Sequence, residues 1–191
     1  MKIIKTYQQI TESHQYRENI HLLTQEQIDW CDNHLYFSDW NVSTNGKINS
    51  KLIYIYGNFK SFPVSFENCV ILDIKDNDDL EDLTGCPDHV DVLCRISNCP
   101  NLKSLTGGPT EVSSLEITKC GLIDMSGSPL SNRYLIADCP QLESISGIPY
   151  SVNPDKIVLG SNGTDRDKLI SDFIRGYTDS DYRDYEKDWT F

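Results

Sequence analysis

The stretch Leu93-Cys94-Arg95-Ile96-Ser97-Asn98-Cys99-Pro100-Asn101-Leu102-Lys103-Ser104-Leu105-Thr106-Gly107-Gly108-Pro109-Thr110-Glu111-Val112 contains one complete unit of an internal repeat. Its first half is a frame of two alternating apolar residues followed by Asn or Cys. The frame recurs as Ile53-x-Ile55-x-x-Asn58, Leu72-x-Ile74-x-x-Asn77, Cys94-x-Ile96-x-x-Cys99, Leu115-x-Ile117-x-x-Cys120, Tyr134-x-Ile136-x-x-Cys139 and Ile157-x-Leu159-x-x-Asn162. The Asn or Cys rungs are 19, 22, 21, 19 and 23 residues apart. The second half recurs as Leu83-Thr84-Gly85-Cys86-Pro87-x-x-Val90 and Ile145-Ser146-Gly147-Ile148-Pro149-x-x-Val152, and in shorter form as Met125-Ser126-Gly127-Ser128-Pro129.

Each half has a physical reading. Alternating apolar residues make a short strand with one buried face. Gly permits a positive φ, and Pro fixes its own φ while removing a donor, so the return segment is extended or irregular rather than a full helix. A chain that turns sharply under its neighbour buries backbone groups. An Asn amide at the rung can hydrogen-bond them, and Cys fits the same slot as a small, weakly polar residue. The two half-motifs at one period predict a flat solenoid whose coils share one continuous core.

The frame resembles the leucine-rich repeat, whose consensus places Asn or Cys at the rung. The resemblance implies an α/β solenoid with short parallel strands, irregular return segments and a capping helix at each end. About six repeats fill residues 51–164. Residues 13–50 read as an N-terminal cap. Thr24-Gln25-Glu26-Gln27 starts a helix over 24–35 with a capping box, and Trp40-Asn41-Val42, Asn45-Gly46 and Ile48 predict a hairpin. Residues 165–191 read as a C-terminal cap helix, with Leu169, Ile170, Phe173, Ile174 and Tyr177 on one face, followed by an acidic tail bearing Tyr182, Tyr185 and Trp189. That tail either packs on the last coil or docks a partner.

Composition narrows the function. No apolar run approaches the ~20 residues that span a bilayer, so no membrane is expected as a partner. Three of the seven cysteines are rungs, Cys94 is at an inward strand position, Cys69 and Cys86 belong to shielded repeat positions and Cys31 falls at helical spacing in the cap, which predicts reduced core thiols in a cytosolic compartment. The four histidines have no ligand spacing relative to the cysteines, so neither a metal nor a cofactor is expected. Formal net charge is −12, and residues 51–164 carry 15 acidic against 8 basic side chains, which argues against direct nucleic-acid binding. Five acids in seven residues, Asp76 to Asp82, lack the Gly and distal Glu of an EF-hand and read as a solvated turn.

Strand residues between the inward ones are expected on the concave face. Those just before the frame are Leu52, Ile71, Leu93, Ser114, Arg133 and Lys156. Those within it are Tyr54, Asp73, Arg95, Glu116, Leu135 and Val158, and those after it are Tyr56, Lys75, Ser97, Thr118, Ala137 and Gly160. Tyr54, Tyr56, Asp73, Lys75, Arg95, Glu116 and Arg133 are the candidate partner-binding residues, because Tyr and Arg are enriched at interface hot spots.

The first residues, Met1-Lys2-Ile3-Ile4-Lys5-Thr6-Tyr7-Gln8-Gln9-Ile10-Thr11-Glu12-Ser13, resemble the cleavable capsid-targeting leader of T-even-type tailed phages. In such leaders Leu or Ile, any residue and Glu precede the prohead-protease cut, as in Ile10-Thr11-Glu12 here. The structural alternative is that Ile3, Ile4, Tyr7 and Ile10 begin a cap helix. Nearly end to end, the chain is similar to leucine-rich-repeat proteins of large tailed phages, although Phe62-Pro63 in repeat one lacks the Thr-Gly of the pattern.

The resemblance implies a viral protein in the host cytoplasm, packaged in the virion head if the leader functions. No catalytic motif stands out. The expected function is a non-enzymatic binding module that inhibits a host defence protein. The alternatives are a structural or internal head protein with capsid protein as its partner, and an acidic nucleic-acid mimic acting through Asp73, Asp76, Asp78 and Asp79. The leader reading predicts a particle-borne chain beginning at Ser13. N-terminal peptide mass spectrometry of purified particles and of infected-cell lysate checks it.

Overall fold

The computed structural model describes residues 17–36, 39–149, 151–160 and 165–180, the side chains of 176–180 excepted. The expectations for residues 1–12, for the rung Asn162 and for the tail beyond 180 lie outside the described residues. A short 3-10 turn, Ile20–Leu22, leads into helix α1, Gln25–His34. The hairpin follows as β1, Asn41–Val42, paired antiparallel with β2, Ile48–Asn49. Six strands then stack in parallel: β3 (Leu52–Tyr56), β4 (Cys69–Lys75), β5 (His89–Cys99), β6 (Glu111–Cys120), β8 (Tyr134–Ala137) and β9 (Ile157–Leu159). The two-residue β7, Leu130–Ser131, pairs with β6 beside this path. Helix α2, Arg166–Ser180, ends the described chain. The architecture is a parallel-strand solenoid of about five turns with few helices.

The inward frame residues form two unbroken columns. Ile53, Leu72, Cys94, Leu115, Tyr134 and Ile157 make one, and Ile55, Ile74, Ile96, Ile117, Ile136 and Leu159 the other, all buried. Opposite them, the return segments contribute Leu80, Leu102, Leu122 and Leu142, each 0% exposed. Such a leucine contributes about 1.5–3 kcal/mol by leaving water. A single cluster therefore runs through every coil.

The rungs sit where the strand turns. Asn77 is 0% exposed; its Nδ2 donates to Phe59 O at 3.0 Å, and its Oδ1 accepts from Phe59 N at 3.3 Å and Asp79 N at 3.0 Å. Cys99, Cys120 and Cys139 are buried, and each Sγ donates to the carbonyl two residues before it. Asn58 departs from the column: its side chain is exposed, although Oδ1 still accepts from Asp78 N of the next coil at 3.1 Å.

Two backbone columns make the turns possible. The residue before each described rung is left-handed: Gly57, Asp76, Asn98, Lys119 and Asp138, with φ of 90°, 54°, 56°, 55° and 55°. On the return side Gly85, Gly107, Gly127 and Gly147 all have positive φ and lie against the preceding coil. A Cβ on Gly127 would come within 2.5 Å of Thr106 N. Coils can stack at strand spacing there only where no side chain begins.

Helix α1 has the expected capping box: Thr24 Oγ1 accepts from Gln27 N at 3.3 Å, and Gln27 Oε1 from Thr24 N at 2.9 Å. It lies on the first coil, where Trp30 meets Phe59 and Phe62 at ring separations of 5.1 and 5.8 Å. Helix α2 buries Leu169 and Phe173, but Ile174 is 44% exposed and Ile170 half-buried, so the apolar face is only partly covered. The helix runs on through Gly176 to Ser180.

Lys119 and Gly127 test the two columns with opposite signs. Lys119→Gly relieves a left-handed side chain and is expected to raise stability by on the order of 1 kcal/mol. Gly127→Ala meets backbone at a positive φ and is expected to cost about 2 kcal/mol or more. Urea unfolding of both variants beside the parent chain checks them.

Candidate functional site

The parallel register brings six side chains into one outward row. Tyr54, Asp73, Arg95, Glu116, Leu135 and Val158 are directly paired from β3 to β9. Beside it run Tyr56, Lys75, Ser97, Thr118 and Ala137, and on the other side Leu52, Ile71, Leu93 and Ser114. Because side chains alternate along a strand, each outward row is locked to the inward columns, and a one-residue slip would exchange the two. Six of the seven sequence-predicted residues fall within the two rows through Tyr54 and Tyr56. Arg133 lies just before β8, exposed, with its carbonyl accepting from Leu115 N at 2.9 Å.

The centre of the face is an ion-pair chain. Arg95 donates from Nε and NH2 to Glu116 Oε2 at 2.9 and 2.8 Å, and its NH1 lies 3.7 Å from Asp73 Oδ2. Lys75 Nζ contacts the same Asp73 oxygen at 2.9 Å. The hydrogen bond that Lys75 donates to Asp73 is the main influence holding it above the ordinary lysine range, and the bond to Glu116 does the same for Arg95.

Asp73 differs from its sequence reading as an accessible contact. It is 3% exposed, roofed by Lys75, Arg95 and the adjacent strands, and its Oδ1 has no hydrogen-bond partner. Each half-exposed pair contributes about 1 kcal/mol or less. Removing a cation would cost more, because it leaves a buried carboxylate uncompensated. Two positive and two negative groups form a charge-balanced bar across the sheet, in which Asp73 Oδ1 is left without a hydrogen bond. Its chemistry is positional, holding the long side chains of β4, β5 and β6 still.

Aromatic groups flank the bar at the β3 end. Tyr54 and Tyr56 are half-buried, and Tyr56 packs edge-on against Tyr36 with ring centroids 5.4 Å apart. The chain before the solenoid reaches this end through Tyr36 N, which donates to Tyr54 O at 2.9 Å, and through His34 Nδ1, 2.8 Å from Tyr56 O.

Sequence reasoning did not identify a further group at the strand starts. His89 has one ring nitrogen 3.1 Å from Asp91 Oδ1 and the other 3.3 Å from Glu111 Oε2. The missed signal was the apolar pair Val90 and Val112, which already belonged to the repeat and extends β5 and β6 upstream. Two hollows, of about 310 and 70 Å³, are both lined in part by α2, away from the outward rows. Among the described residues, no three His, Cys, Asp or Glu side chains are placed to hold a metal ion, and no helix is long and apolar enough to cross a membrane. No known protein family, curated protein or solved structure matches the chain.

The seven cysteines are buried thiols outside any disulfide. Burial pushes Cys31 and Cys69 up to about 12 and Cys139 up to about 11, and drives Cys86 and Cys94 well above the ordinary thiol range. Cys120 is pushed far up, first by its hydrogen bond with Cys99 and then by burial. A neutral, shielded thiol is a poor nucleophile.

The ordinary thiol value of 9.0 fixes the sign of the pH effect. Above it the unfolded chain loses protons that the folded chain keeps, so stability present below pH 9 falls as pH rises toward 12. Chemical denaturation at pH 8, 9.5 and 10.5 is expected to show this decline. A thiol-titrating disulfide reagent at pH 8 is expected to react with none of the seven in the folded protein and with all seven in urea.

Proposed function

We propose that this chain is a leucine-rich-repeat-type binding module, capped by α1 and α2, that engages a protein partner through its concave strand face and performs no catalysis. The observation that carries this reading is the in-register outward row, in which Tyr54, Arg95 and Glu116 sit on paired strands. A face of this kind offers partner-sized area with the ordering cost already met by the fold. Tyr and Arg on such a face belong to the residue types that dominate interface energetics.

The partner is a host protein, with inhibition of host defence as the consequence. That assignment is supported by the resemblance of the repeats and of the first residues to phage proteins. The host cytoplasm is then where the chain acts, and the virion head is its route there if the leader functions.

Affinity capture from host-cell lysate, with quantitative mass spectrometry, tests the proposal. Tyr54→Ala and Tyr56→Ala are each expected to weaken capture of the partner about ten-fold or more while leaving the unfolding midpoint close to that of the parent. Thr106→Ala on the return side is expected to leave capture unchanged. Equal capture by all variants would move the site off the strand face, and capture of capsid protein alone would assign the chain to the virion instead.

A further inference from the structure

The outward face is not uniform along the solenoid axis. In the row that starts it, the chemistry changes from Leu52, Ile71 and Leu93 through Ser114 to Arg133 and Lys156. Leu52 is 40% exposed, Ile71 and Leu93 are half-buried, and the bulge between Val90 and Leu93 turns Val92 out to 52% exposure. Four aliphatic side chains from three adjacent strands thus stand exposed or half-exposed together at the first coils.

The surroundings of that patch are acidic. At the strand starts Asp91 and Glu111 are about 60% exposed, with His89 between them, and one imidazole between two carboxylates leaves that cluster negative in either protonation state. At the strand ends Asp76, Asp78 and Asp79 are exposed on the turn after β4. Across residues 51–99 nine carboxylates face four Lys and Arg, and two of those four, Lys75 and Arg95, are spent on Asp73 and Glu116. Lys51 beside Leu52 is the remaining base at the patch itself. At the far end of the same face, Leu135 and Val158 are instead accompanied by the exposed Arg133 and Lys156.

We infer that the first three coils dock a protein segment that carries a large aliphatic or aromatic anchor flanked by Lys or Arg. The inference rests on the strand-face reading above and adds the partner's chemistry and its position. The anchor covers the aliphatic side chains of Leu52, Ile71 and Leu93. The flanking cations meet Asp91 and Glu111 at one side and the Asp76 turn at the other. The central bar is charge-balanced and needs no ion pair from the partner. Opposite charge at the rim sets approach rate and specificity, and the desolvated anchor sets residence.

Panning a displayed random 12-residue peptide library against the full chain tests this, with Leu52→Glu as one counter-screen and the double charge reversal Asp91→Lys, Glu111→Lys as another. Circular dichroism and the unfolding midpoint establish that both variants fold. The expected enriched peptides pair Leu, Ile, Phe or Trp with Lys or Arg, lose about ten-fold or more in affinity to either variant, and weaken as salt rises from 50 to 500 mM. Acidic or uncharged peptides that still require Leu52 would overturn the inference and leave the strand-face reading standing. Enrichment of peptides insensitive to Leu52→Glu, or of none, would overturn both.

Discussion

The fold depends on a sharp backbone turn that each coil makes at the end of its strand. A left-handed residue reverses the chain, the next residue, except at Asn58, puts a small side chain inward, and the coil then returns against the one before it. On the return side a glycine column removes the Cβ atoms that would hold the coils apart. Once these two closures are met at every coil, stacking at strand spacing follows, and with it the pairing of residues about 20 positions apart. The apolar columns from Ile53 to Ile157 and from Ile55 to Leu159 then contribute their burial energy as one core.

The outward surface is a consequence of that register. Asp73, Arg95 and Glu116 are far apart in sequence, yet each is the direct strand partner of the next, so charges of alternating sign stand side by side. Their mutual compensation lets a carboxylate stay buried at the centre of an exposed face. It also leaves the rest of the surface to differentiate along the axis, aliphatic and acidic at the first coils and basic toward Arg133 and Lys156. Under the proposed binding role, this fixed placement of unlike patches is what would distinguish one partner from another.

Much of this was legible in the sequence. The Asn or Cys rungs and the Gly-x-Pro returns located the coils, the frame gave the correct inward and outward alternation from Ile53 to Leu159, and Thr24 with Gln27 marked the start of α1. The left-handed column was legible only in part: Gly57, Asp76, Asn98 and Asp138 are residue types that favour this conformation, whereas Lys119 carries no such signal. The burial of Asp73 was hidden. It sits at an outward position, and only the cations of its own strand and the next one roof it over. The upstream extension of β5 and β6 was masked by a bulge that breaks the period-two pattern between Val90 and Leu93. The partial exposure of α2 follows from its placement, since Leu169 and Phe173 take the contact and Ile174 falls beyond it.

The central claim is the register that aligns Tyr54, Asp73, Arg95, Glu116 and Leu135 in one row. Interstrand nuclear Overhauser contacts in isotope-labelled protein test it most directly. The account predicts backbone contacts that tie Asp73 to Arg95, Arg95 to Glu116 and Glu116 to Leu135 at the same level on successive strands. A pattern displaced by one residue on any strand would turn that strand's outward residues into the core and contradict the account.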